Sequence, residues 1–136
     1  MFFKLRDHIL ASYPKIYDQL ELEIVNDMTL LFCWKGSDPG LKPVALLHHL
    51  DVVLVEKASW KKWDADPLSG DILNGYIYGR GALDDKGAAM STLEAVELLL
   101  SNGFKPKRSI YLAFGHDEEV GGSRGAQAVV RALNNR

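Results

Sequence analysis

Two short apolar runs, Pro43 to Leu47 and Ser109 to Phe114, do most to limit what this chain can fold into. The first is almost wholly apolar, which suits a strand buried on both faces of a sheet, and the second reads as another apolar strand. Between them Ala89, Leu93, Val96 and Leu100 share one face of a helix running from Asp85 to Asn102, with Gly103 placed to stop it. Strands alternating with helices argue for an α/β domain.

The flanking segments fit the same plan. Phe3, Leu5, Ile9, Leu10, Tyr13 and Ile16 trace a helical stripe that Pro14 should bend or interrupt. Leu20 to Val25 and Thr29 to Trp34 predict a hairpin turning at Asn26-Asp27, and Gly36 to Gly40 a loop. Asn74-Gly75 between apolar pairs predicts a second, tight hairpin, and Gly121-Gly122-Ser123 opens a last helix.

A chain of 136 residues with 47% hydrophobic and 25% charged content can bury one core. Its net charge of -2 and the lack of any Lys/Arg run argue against a nucleic-acid partner. No apolar stretch approaches the roughly 20 residues of a membrane span. Met1 to Asp7 lacks the pattern of a secretory signal, so the compartment stays open with the cytoplasm favoured. Cys33 is the only cysteine, which excludes an internal disulfide and a Cys-based zinc site. Any metal must be held by imidazole and carboxylate.

Three motifs carry that chemistry. His49-x-Asp51 follows the first apolar run, and there His49 could bind a metal while Asp51 fixes its ring. Gly79 to Gly87, with Asp84 and Asp85 at its centre, leads into the striped helix. Gly115-His116-Asp117-Glu118-Glu119-Val120-Gly121-Gly122 follows the second run and sets three acids side by side. Singly, each has a plainer reading: a local polar pair, a helix N-cap, a solvated charge run. Together they lie where predicted strands end, at the edge of an open α/β sheet where ligands bind. One imidazole among carboxylates suits zinc, cobalt or manganese, and two metals sharing a carboxylate would polarise a carbonyl and supply hydroxide.

From about Leu41 to Ala128 these motifs resemble the aminoacylase, acetylornithine deacetylase and carboxypeptidase family of co-catalytic zinc hydrolases. Tyr76 to Lys86 and Phe114 to Gly122 are most similar to its carboxypeptidase S-like branch, which includes the N-fatty-acyl-amino-acid hydrolases. The resemblance implies a three-layer α/β zinc-peptidase catalytic domain, partial over residues 1–136 and without the lid domain. It makes His49, Asp84 and Glu119 metal ligands, with Asp84 bridging two zinc ions. Glu118 becomes the general base and Asp51 the residue that orients the site, while Asp85 and Lys86 are structural. The implied reaction is hydrolysis of the amide bond of N-acyl amino acids or of C-terminal residues of small peptides. His48 and Leu54 depart from the family, which usually has a small residue before the metal histidine and proline after Asp-Val-Val. The family's further acidic ligand, lid and last histidine have no counterpart here, so the expectation is a fragment truncated at both ends. The alternative is an inactive remnant or pseudoenzyme, or a half needing a complementary chain or an oligomer.

Overall fold

The computed structural model describes residues 2–136. Helix α1 (Phe2–Ser12) stops at Tyr13, and α2 (Pro14–Gln19) restarts with Pro14 in its first turn, where a missing N–H costs nothing. Two of the remaining free amides of α2, those of Lys15 and Ile16, donate to the Glu97 carboxylate at 3.0 Å each. Glu97 lies on α3 (Lys86–Ser101), so α2 is capped by the helix it packs on. Tyr13 adds a hydroxyl bond to Glu94 at 3.0 Å.

Strands β1 (Glu21–Val25) and β2 (Thr29–Trp34) form the first hairpin, with Asn26 and Asp27 at positive φ in its turn. β3 (Val44–His49) and β6 (Ile110–Gly115) complete a mixed sheet of order β1-β2-β6-β3, in which only β3 and β6 run parallel. The small hairpin of β4 (Ile72–Leu73) and β5 (Tyr76–Ile77) stands apart, turning through Asn74-Gly75 at positive φ.

Strand alternation sends Leu30, Phe32, Trp34, Leu112 and Phe114 to one face, where α1, α2 and α3 cover them through Ile9, Ile16 and the Ala89, Leu93, Val96, Leu100 stripe. Leu31 and Ala113 point the other way, against Ala128 and Val129 of α4 (Ala126–Asn134). The result is three layers, helix on sheet on helix. No helix of the described residues is long and apolar enough to cross a membrane.

Two expectations need correction. β3 is not buried on both faces: it is an edge strand, with Val44 39%, Leu46 42% and Leu47 61% exposed. Its apolar sequence reports a strand suited to burial, but among the described residues nothing pairs with its outer edge. Nor does the Gly79 to Gly87 motif follow a strand of the main sheet; it leaves the small hairpin and reaches the site as the approach to α3.

Candidate metal centre

His49 is the last residue of β3, and its ring is buried at the carboxyl end of the parallel pair. Its Nε2 lies 3.0 Å from Asp84 Oδ1 and 3.9 Å from Glu118 Oε2. Its Nδ1 donates toward Asp51, 3.2 Å from the backbone oxygen and 3.3 Å from Oδ1. Burial pulls the His49 imidazole down, but the Asp84 hydrogen bond and the charges of Asp51 and Glu118 outweigh it and hold the group above its usual value.

Asp51 is the hinge of this arrangement. Its two carboxylate oxygens accept the backbone N–H groups of Glu118 (3.2 Å) and Glu119 (3.0 Å), so one side chain ties the end of β3 to the loop after β6. Glu119 returns the contact by accepting the Val53 amide at 3.3 Å.

Asp84 and Asp85 enter along a path shaped by glycine. Gly81 sits at φ 90°, and a side chain there would run into Val52 and the Lys86 amine. The peptide between Asp84 and Asp85 is cis. Asp85 occupies the N-cap position of α3 but makes no side-chain cap; its carboxylate instead meets His48 Nδ1 at 3.0 Å and the His49 amide at 3.3 Å. Lys86 is close enough for Asp51 and Glu119 to favour its charge, yet burial wins and holds its ammonium below the usual lysine value.

The acidic run after β6 does not act as one patch. Asp117 is buried and turns away from its neighbours, accepting the amides of Arg124 and Gly125 at 2.8 Å each and so shaping the approach to α4. Only Glu118 and Glu119 face His49, and ligand atoms of these three residues lie within 4.8 Å of one another. His116 also points elsewhere, its Nδ1 2.7 Å from Thr29 Oγ1. Spacing along the sequence could not separate Asp117 from the glutamates; the amides it needs come from residues seven and eight positions on.

The donor set fits a divalent cation. Two ligands of a tetrahedral zinc, each at about 2.0–2.1 Å, stand roughly 3.3 Å apart. The 3.0 Å from His49 Nε2 to Asp84 Oδ1 is near that spacing, and Glu119 joins His49 and Glu118 within 4.8 Å, a group that, among the described residues, Asp84 borders through His49 alone. Beside the cluster Leu47, Ala113, Ala126 and Val129 wall an open apolar cavity that His49 and Glu118 also line.

Residues 45–136 match the model of peptidase family M20/M25/M40. The chain belongs to that family. Family relatives cover nearly all of it: it is 50% identical over 125 residues to a probable carboxypeptidase S-like protein of Dictyostelium discoideum, across 92% of this chain and 24% of the relative. With carboxypeptidase S of Saccharomyces cerevisiae the identity is 41%, over 99% of this chain and 24% of the relative. With an N-fatty-acyl-amino acid synthase/hydrolase of Mus musculus it is 43%, over 96% and 26%. The chain thus spans about a quarter of each relative's length. Human carnosine dipeptidase 1 shares the fold with a TM-score of 0.73 at 23% identity, over 97% of this chain and 30% of that one. A family M20 metallo-carboxypeptidase of Sulfolobus solfataricus does so at 0.70.

Proposed function

We propose that this chain carries the metal-binding half-site of a hydrolase that cleaves the amide bond of N-acyl amino acids or the C-terminal bond of small peptides. The observation that carries the reading is the ring of carboxylates around one buried imidazole, His49, at the open end of parallel strands. In this reading His49 and Asp84 hold one zinc ion and Asp84 and Glu119 the other, with cobalt or manganese as substitutes. Bound there, the two cations would polarise the scissile carbonyl and acidify the attacking water.

Position supports the remaining roles in this reading. Glu118 is 60% exposed and 3.9 Å from the His49 ring, free to take the proton of the attacking water and pass it to the departing nitrogen. Asp51 holds the His49 ring on one side and the glutamate loop on the other. The peptide and fatty-acyl-amino-acid chemistry in the relatives' names supports the substrate class.

The test is hydrolysis of N-acyl amino acids and short peptides by the zinc-loaded protein at the relatives' full length, beside a His49→Ala variant. No turnover by the parent protein, or turnover untouched by His49→Ala, would sink the reading. A second reading, a chain that works only with a complementary one, is favoured by the outer edge of β3, which no strand among the described residues pairs. Restoration of turnover by adding a separately made remainder would select it.

A further inference from the structure

The two adjacent histidines at the end of β3 leave the strand on opposite sides and meet two adjacent aspartates. His49 pairs with Asp84 and His48 with Asp85, both at 3.0 Å. The first pair belongs to the candidate metal centre. The second lies outside that centre, although each of its residues is next to one of the first pair.

His48 is held from every side. Its Nδ1 can only donate to Asp85, because a carboxylate offers no proton, and its Nε2 then accepts from the Thr92 hydroxyl of α3 at 2.9 Å. Its ring stacks on Phe114 with centroids 5.6 Å apart and planes 18° from parallel. One neutral tautomer satisfies both nitrogens, and the side chain is only 12% exposed. Asp85 Oδ2 receives two donors at once, the His48 ring and the His49 backbone amide. Fixing that oxygen therefore fixes the backbone of His49 and the residue next to Asp84.

We propose that His48 is a positioning residue of the metal centre, setting the distance between His49 and Asp84 through the Asp85 carboxylate that it anchors to Phe114 and α3. The proposal rests on the metal-site reading above. It assigns a purpose to the departure noted in the sequence, where this chain carries histidine and the family usually a small residue. The metal never touches His48. Its contribution is to remove the freedom with which His49 and Asp84 could drift apart; partners bonded directly to a metal ligand carry about 10–100-fold in affinity, and His48, one contact further back through Asp85, should carry about 10-fold, the lower end.

The experiment is a zinc titration of the chain followed on the imidazole nitrogens by long-range proton–nitrogen NMR, in parent, His48→Ala, His48→Asn and His49→Ala forms, with far-UV circular dichroism to check folding. In the zinc-free parent, His48 should show a protonated Nδ1 and a bare Nε2. His48→Ala should weaken zinc about 10-fold and speed exchange of the His49 amide. His48→Asn places an amide N–H near the former Nδ1, so it should recover most of the affinity; a role in packing alone would not be rescued, since the amide cannot replace the ring on Phe114. Zinc binding lost in His49→Ala but unchanged in His48→Ala, or the opposite tautomer at His48, overturns the positioning role and leaves the metal site standing. Binding that His49→Ala does not touch overturns the metal site and this proposal with it.

Discussion

Truncating Asp51 should destabilise the chain even without metal. Its carboxylate accepts two backbone amides, from Glu118 at 3.2 Å and Glu119 at 3.0 Å, and faces His49 Nδ1 at 3.3 Å, with 14% of the side chain exposed. Hydrogen bonds to a charged partner contribute about 1.5–3 kcal/mol each. Both amides lie near the surface, where water can replace part of the loss, so the lower end applies and Asp51→Ala should cost about 2–4 kcal/mol in all. One effect opposes this: removing a negative charge relieves repulsion from Asp84, Glu118 and Glu119. Asp84 and Glu118 are 76% and 60% exposed, and exposed pairs rarely exceed about 1 kcal/mol. The bonds should win. Asp51→Asn keeps one acceptor oxygen but turns an N–H₂ toward the other amide, and should fall between. Urea unfolding followed by tryptophan fluorescence and circular dichroism measures both. An Asp51→Ala chain within about 0.5 kcal/mol of the parent, the usual spread of neutral surface changes, or an Asp51→Asn chain more stable than the parent, would refute the reasoning.

In the full-length protein Glu118→Gln should keep its metal and lose turnover by roughly 100-fold or more, the usual reach of a general base; loss of metal with a modest rate change would make Glu118 a ligand instead. Calorimetric zinc titration of the 136-residue chain should show weak binding, because the proposed ligands give each ion only two protein donors where three are usual. Tight binding of two ions with robust turnover would contradict it. Burial, and next the Glu94 bond, push the Tyr13 hydroxyl from 10.0 up to about 12. The fold favours the protonated phenol, so this contribution is intact below pH 10 and lost as pH rises toward 12, by up to about 3 kcal/mol at 1.36 kcal/mol per unit. Urea unfolding at pH 8 to 12 should therefore show the parent losing stability faster than Tyr13→Phe; parallel curves would rule it out.

The secondary structure was legible where local chemistry decides it. The Ala89, Leu93, Val96, Leu100 stripe is buried as a set, Gly103 stops its helix at φ 71°, and Asn74-Gly75 turns as a hairpin must. The α/β layering and the family followed from the order of elements and motifs. β3 departs from the burial its sequence predicts because apolar composition states a preference for burial and says nothing about whether a neighbour is present to satisfy it. At the site, the sequence could place His49, Asp84, Glu118 and Glu119 near one sheet edge, since motifs that follow strands or lead into helices have few places to go. It could not assign Asp117 to the α4 approach or His48 to Asp85 and Thr92, because those partners are chosen by loop geometry and by contacts 37 and 44 residues away.

The opposite exits of His48 and His49 also bear on how this sequence can change length. A pleated strand reverses its side chains at every residue, so inserting or deleting one residue within β3 would swing the ring meant for Asp84 toward Phe114 and the other into the cleft. No small backbone adjustment can undo an exchange of faces. Insertions and deletions should thus be confined to the largely exposed stretches at residues 37–40 and 56–62, whose length does not set which way either histidine points.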